Sequence, residues 1–127
     1  MVTELDLYGN NIGPEGAIAI AEALKVNTVV TTLRLNQNNI GPEGAKAIAE
    51  ALKVNAVLNE LGLGVNTIGN NISGTNISDI GAKAMAEALK VNAVLTKLDI
   101  RGNNMGDLGK QAVQDAVKDR SGFQLHL

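Results

Sequence analysis

The 127-residue chain contains no cysteine and no tryptophan, and its single histidine, His126, is the penultimate residue. The absence of cysteine excludes disulfides and thiolate chemistry. One histidine cannot supply paired metal ligands, and no serine has a neighbouring base in sequence from which a catalytic triad could be built. The sequence therefore gives no positive sign of an enzyme, and we expect neither a catalytic residue nor a cofactor or metal site.

Aromatic residues make up only 2% of the chain although hydrophobic residues make up 45%, so the core must be built from Leu, Ile, Val and Ala. The net charge is −2, and no basic stripe interleaved with aromatics is present, which is not typical of nucleic-acid binding. Polar residues interrupt every apolar run, and the first four residues, MVTE, are no signal peptide. We expect one cytoplasmic domain without a nucleic-acid or membrane partner.

What the chain does contain is an internal repeat. The blocks 10–27 and 38–55 differ only at Ile18, which is replaced by Lys46. The leading leucines recur at a step of 28 residues, and one later step is 37 residues, so the third repeat carries nine extra residues. Self-similarity at such a period is typical of a repeat array. We predict one domain over 1–127 with repeats at about 5–32, 33–60, 61–97 and 98–127, and an insertion at 70–78.

Each repeat combines two periodicities. Its first part alternates apolar with other residues, as at Leu5 and Leu7, which predicts a short strand with one buried face. Its second part places apolar residues such as Ala17, Ile20 and Leu24 on one stripe of an amphipathic helix. One strand and one helix cannot bury both apolar faces alone, so the repeats must stack side by side. Because helices are wider than the spacing between paired strands, the stack should bend with the sheet inside.

The start of each helix carries recognisable signals. Pro14 suits a first helical turn, where its missing N–H would have no partner. In the later repeats Asp79 and Asp107 take the equivalent place, and we predict that they are N-caps. Near the C-terminus, polar residues replace core alanines, and the segment 123–127 is expected to form a closing strand.

The repeated motif, LxLxxNxIG followed by GAxAIAEALKVN, resembles the ribonuclease-inhibitor-like class of leucine-rich repeats, found in NOD-like receptors and the Ran GTPase-activating protein. The resemblance implies an α/β solenoid, a horseshoe segment with a parallel β-sheet on the concave face and α-helices on the convex face. It implies a scaffold that binds other proteins. It also implies that the asparagines closing the strands form a structural ladder. These are Asn10, Asn38, Asn66 and Asn103.

Side chains that flank the strand leucines should point onto the concave face, because side chains alternate across a strand. They differ between repeats while the scaffold stays constant, which favours a non-enzymatic protein-interaction module that binds a partner there. The predicted partner-binding residues are Glu4, Asp6, Tyr8, Thr32, Arg34, Asn36, Glu60, Gly62, Gly64, Lys97, Asp99 and Arg101. Two alternatives stay open: a GTPase regulator of the Ran GTPase-activating type, and a structural or designed array with no partner.

The N-terminal repeat begins directly on its strand, with no polar element to cover its edge. An uncovered repeat exposes strand edge and apolar surface. The predicted exposed residues are Leu5, Leu7, Ile12, Ile20 and Leu24. This arrangement leaves open self-association through the uncapped N-terminal repeat, or a chain cut from a longer protein.

Overall fold

A computed structural model describes residues 3–64 and 77–127 of the chain. Within these residues, four α-helices alternate with five short β-strands. In chain order they are β1 (Glu4–Asp6), α1 (Gly13–Leu24), β2 (Thr32–Arg34), α2 (Gly41–Leu52), β3 (Glu60–Gly62), α3 (Ser78–Val91), β4 (Lys97–Asp99), α4 (Asp107–Val117) and β5 (Gln124–His126). This alternation confirms the α/β solenoid predicted from the two periodicities.

The five strands form one parallel sheet in the order β1 to β5. Their register aligns the same position of every repeat, so one column of leucines runs across the whole sheet: Leu5, Leu33, Leu61, Leu98 and Leu125. Within the array this column is closed to solvent, since Leu33 is 1% exposed and Leu98 is 0% exposed. The predicted closing strand is confirmed as β5.

Small residues set the spacing of the helix row. Neighbouring helices pack in chain order, and Ala17, Ala45 and Ala82 are each 0% exposed. A Cβ atom added to Gly44 would lie 2.9 Å from the Cβ of Ala17, which is closer than real Cβ atoms approach. Glycine and alanine therefore let successive helices pack more tightly than larger side chains would allow.

The predicted helix caps are wrong. The N-cap of α3 is Ile77 and that of α4 is Gly106, and neither makes a side-chain capping hydrogen bond. Asp79 lies inside the first turn of α3, and its Oδ1 accepts a hydrogen bond of 2.6 Å from the Gly106 amide in the next repeat. Asp107 is the first residue of α4 and also does not cap it. The prolines of α1 and α2, by contrast, lie in the first turn as predicted.

The start of α3 overlaps the predicted insertion. Ile77 is 0% exposed and holds the N-cap position that Ile40 holds in the preceding repeat. Ile77 and Ser78, which the sequence assigned to the end of the insertion, are thus the N-cap and the first residue of α3. The rest of the predicted insertion, 70–76, lies outside the described residues, as does Asn66.

One row of asparagines joins the strand ends of successive repeats. The Oδ1 atom of Asn38 accepts hydrogen bonds from the amides of Asn10 and Ile12, at 2.8 and 3.2 Å, and its Nδ2 donates to the Leu7 oxygen at 2.7 Å. Asn103 donates in the same way to the Leu63 oxygen at 2.9 Å. Each of these buried amides thus satisfies main-chain groups of the repeat before it. The side-chain Nδ2 of Asn10, in the first repeat, donates to the Tyr8 oxygen of its own turn at 3.3 Å, and no other hydrogen bond of this side chain is found among the described residues.

A second row of asparagines, which the sequence analysis did not identify, follows the helices. Asn55 donates from Nδ2 to the Leu24 oxygen at 2.8 Å, and Asn92 donates to the Leu52 oxygen at 2.8 Å. Their Oδ1 atoms accept hydrogen bonds from amides of the loop that leads to the next strand. Both residues are 5% exposed. The sequence carried the signal for this row, because the KVN triplet recurs at 25–27, 53–55 and 90–92, at the C-terminal ends of the first three helices.

Candidate functional site

The face of the sheet turned away from the helices, which we call the concave face, carries a cavity of about 260 Å³. The strand register brings side chains from four repeats to this cavity, and none of the four strands could form it alone. Its lining consists of Tyr8, Thr32, Leu33, Arg34, Asn36, Glu60, Leu61, Gly62, Lys97 and Asp99. The cavity therefore lies where the sequence predicted partner binding.

The floor of the cavity is open because β3 carries no side chain there. A Cβ atom on Gly62 would collide with Oδ1 of Asn36, so the Asn36 side chain leans from its own repeat across the next strand. A Cβ atom on Gly64 would lie 2.7 Å from Nδ2 of Asn36 and 3.3 Å from Oδ1 of Asp99. The two glycines thus create a depression between the side chains of the neighbouring repeats.

Asp99 and Arg101 form a two-point ion pair at the C-terminal side of the cavity. The Arg101 Nη2 and Nε atoms donate to the two carboxylate oxygens of Asp99, at 2.9 and 3.1 Å. The side chain of Asp99 is 17% exposed and that of Arg101 is 63% exposed. Burial by itself raises the pKa of Asp99, but the hydrogen bonds from Arg101 and the positive charge of Arg101 and His126 outweigh it, so the pKa lies below its ordinary value. The same pair raises the pKa of Arg101.

Other charged groups around the cavity are paired loosely. Arg34 lies 3.8 Å from Glu4, and both side chains are largely exposed. Glu60 and Lys97 are neighbours in the register of β3 and β4, yet they form no ion pair among the described residues. Exposed pairs of this kind contribute little to stability, so these charges can turn toward a partner at low cost.

Eight of the twelve residues predicted to bind a partner line the cavity. The other four flank it, and they are Glu4, Asp6, Gly64 and Arg101. Thr32 departs from the expectation of an outward side chain, because it is 8% exposed and lies beneath its neighbours. Thr32 therefore forms part of the cavity wall and does not project from it.

The concave face extends one strand further than the sequence predicted. β5 continues the sheet, so Gln124 pairs with Lys97 and His126 pairs with Asp99. His126 is half-buried and close enough to Asp99 to affect the pKa of its carboxyl group. The alternation of the segment 123–127 predicted the strand, and the same alternation would have placed these two side chains on the concave face.

In the described part of the chain, residues 3–64 and 77–127, no group of three or more His, Cys, Asp and Glu side chains is placed to hold a metal ion. None of the helices in this part combines the length and the apolar character needed to cross a membrane.

Comparison with known proteins adds a structural neighbour and a family. Among 45 matching chains of solved structures is leiomodin-1 actin-binding site 2, which superposes with a TM-score of 0.78 at 26% sequence identity. The match covers 98% of this chain and 69% of that one. No curated protein matches the sequence significantly. The family described as Leucine Rich repeat matches residues 1–21, 26–49, 71–86 and 91–113, which is more than half of the sequence, and the chain therefore belongs to the leucine-rich-repeat family.

Proposed function

We propose that this chain is a non-enzymatic protein-interaction module that binds its partner through the concave face. The observation that carries the proposal is the cavity at Gly62, built from side chains that differ between repeats on a scaffold that does not. Core leucines and both asparagine rows recur, whereas the cavity combines an aromatic, an amide, two acidic and two basic side chains. Such a surface can distinguish one partner from another while the fold stays unchanged.

The size of the cavity favours a protein partner over a small molecule. At about 260 Å³ it is below the roughly 300–1,000 Å³ typical of small-molecule sites. It can receive one large side chain of a protein whose remaining contacts lie on the surrounding strands. Tyr8, which is 55% exposed, and Arg34 lie at its N-terminal side, and residues of these two types are enriched among interface anchors.

Actin is the first partner to test, because a structurally similar chain is an actin-binding site of leiomodin-1. The test is co-sedimentation of the purified chain with actin filaments, together with a fluorescence titration against monomeric actin. Tyr8→Ala with Arg34→Ala should abolish binding. Lys46→Ala, an exposed change on α2, is the matched control and should leave it intact.

A partner other than actin requires a search that reports the face used. A photo-crosslinking amino acid placed at Asn36 should capture a specific protein from cell extract, whereas the same group at Lys46 on the convex side should not. Concave-face binding would be contradicted if the groups at Asn36 and Lys46 captured the same protein equally well. It would also be contradicted if the Asn36 crosslink still formed in the variant that carries Tyr8→Ala and Arg34→Ala. Faster GTP hydrolysis by a panel of small GTPases would instead support the GTPase-regulator alternative.

A further inference from the structure

The face of the first repeat that looks away from the second repeat is apolar, and no element of the described residues covers it. Within residues 3–64 and 77–127, β1 pairs on one side only, with β2. Leu5 is 38% exposed, whereas Leu33, its equivalent one repeat later, is 1% exposed. Ile20 is half-buried, whereas the equivalent Ile48 is 0% exposed. Equivalent residues are thus buried in the second repeat, where a preceding strand and helix cover them.

The exposure is less extensive than the sequence predicted. Leu24 was expected at the open edge, but it is 5% exposed and belongs to the hydrophobic core. Leu7 and Ile12 are half-buried. The open surface therefore centres on β1 and on the side of α1 that carries Ile20.

The main chain of β1 offers hydrogen-bonding groups at this edge. The amides of Leu7 and Gly9 donate to oxygens of the second repeat at 2.8 and 3.0 Å. Because successive peptide groups of a strand point to opposite sides, the N–H and C=O groups of Glu4 and Asp6 point to the open edge. The Tyr8 amide, which would continue that series, donates instead to Oδ1 of Asp6 at 3.0 Å. The usable edge is thus short and is centred on Leu5.

The side chains of this short edge are acidic. Glu4 and Asp6 lie on the concave side, and both are exposed. If a second copy added its β1 in antiparallel fashion about Leu5, Glu4 of each copy would lie opposite Asp6 of the other. Like charges directly opposite each other destabilise a strand pair. Short, charged edge strands are a common protection against such self-pairing, so a second copy is a poor occupant of this edge.

We infer that the β1 edge binds an extended segment of another protein in which two basic residues flank an apolar one. The basic side chains would lie beside Glu4 and Asp6, and the apolar side chain would continue the leucine column next to Leu5. On its other side, β1 already lies beside one basic residue, since β2 places Arg34 beside Asp6 in register and 3.8 Å from Glu4. The main-chain bonds would be those of strand addition to an open sheet. The inference stands on the geometry of the edge and does not require the cavity at Gly62 to bind anything.

The test uses an end-blocked, fluorescein-labelled peptide of sequence Thr-Lys-Leu-Arg-Leu-Thr and a matched peptide with glutamate in place of both basic residues. Glu4→Gln with Asp6→Asn keeps an acceptor oxygen for the Tyr8 amide and should weaken binding of the basic peptide about tenfold. Glu15→Gln with Glu43→Gln removes the same charge from two helix starts and should have no effect. Glu4→Lys with Asp6→Lys should reverse the preference to the glutamate peptide.

Backbone hydrogen exchange separates this site from the concave cavity. Binding of the basic peptide should protect the amides of Glu4 and Asp6, because strand addition bonds them directly. Side-chain docking at the cavity leaves those amides open. The inference would be overturned by equal binding of both peptides, by unchanged exchange at Glu4 and Asp6, or by a wild-type dimer in light scattering whose own β1 amides are protected. None of these outcomes decides whether crosslinking at Asn36 succeeds.

Discussion

Arg120 holds the position that Asn92 holds one repeat earlier, and its Nη1 atom donates a hydrogen bond of 2.9 Å to the main-chain oxygen of Asn92. Its Nη2 atom donates to the Leu95 oxygen at 2.5 Å, and its guanidinium lies 4.8 Å from the centre of the Phe123 ring. The last repeat therefore ends the second asparagine row with an arginine that reaches the same class of main-chain acceptors. The longer side chain also provides a plane on which the segment leading to β5 can pack.

Replacing Arg120 by alanine should destabilise the C-terminal repeat. The change removes charge-assisted hydrogen bonds to the main-chain oxygens of Asn92 and Leu95 and the contact with Phe123, so we expect the free energy of unfolding to fall by about 2 kcal/mol. Urea denaturation followed by circular dichroism measures the change. Lys118→Ala, at a nearby exposed position, should cost little. Equal effects of the two substitutions would show that Arg120 does not secure this end.

The second asparagine row offers a comparison within one chain. Asn27 and Asn55 each accept hydrogen bonds from two amides at equivalent positions of their own loops. Asn55 also donates to the Leu24 oxygen of the preceding repeat, whereas Asn27 has no preceding repeat among the described residues. Asn55→Ala leaves several buried main-chain groups without partners and should cost about 3 kcal/mol, whereas Asn27→Ala should cost about 1 kcal/mol. Equilibrium unfolding in urea tests both. A loss at Asn27 as large as that at Asn55 would rule out the cross-repeat bonds as the cause of the difference.

The repeat period made most of the fold predictable. Alternating leucines at Leu5 and Leu7 and the helical stripe through Ala17 each use local spacing, and local spacing fixes an element before any tertiary contact is known. Exact copies of the pattern then forced the same elements to stack. The register of the sheet followed, because a shift by one residue would turn the equivalent leucine of a repeat away from the core.

Side-chain contacts between one repeat and the next could not be predicted from the spacing of residues within a repeat. Asp79 has the sequence position of a helix cap, yet its carboxylate turns to the Gly106 amide of the following repeat. Asn55 looks like an ordinary residue at a helix end until a preceding repeat supplies the Leu24 carbonyl. In both cases the partner lies about one repeat away in sequence, and spacing within a repeat carries no information about it. The sequence predicted which residues lie on the concave face. It did not predict the depth of the cavity, which depends on how the Asn36 side chain lies over Gly62.

Two equivalent glycines allow the packing between repeats to be measured. A Cβ atom at either Gly16 or Gly44 meets the isoleucine that caps its own helix, but only at Gly44 does it also meet Ala17 of the preceding helix. Both substitutions by alanine gain the same helix propensity, so their difference reports the contact between repeats. We expect Gly44→Ala to destabilise the chain by about 2 kcal/mol relative to Gly16→Ala. A thermal unfolding series of the two variants provides the test, and equal stabilities would mean that the α1 and α2 contact can widen without cost.

The ion pair of Asp99 and Arg101 should make part of the stability depend on pH. The pKa of Asp99 is lower in the folded chain than its ordinary value, so the folded state holds the charged carboxylate more favourably than the unfolded state does. The resulting stabilisation is present at neutral pH and is lost as the pH falls from about 4 through the folded-state value.

The variant Asp99→Asn cannot make this charged pair, although its amide oxygen can still accept the Arg101 main-chain N–H. We therefore expect wild type to exceed Asp99→Asn in free energy of unfolding at pH 7, and the difference to shrink as the pH falls below 4 and through the folded-state pKa of Asp99, where the carboxyl group becomes neutral. Urea unfolding across that range, at low and at high salt, measures it. Arg101→Gln should show the same reduced pH dependence, and combining it with Asp99→Asn should add little, because both remove one interaction. A difference that stays constant with pH would mean that Asp99 stabilises the concave face by packing and not by charge.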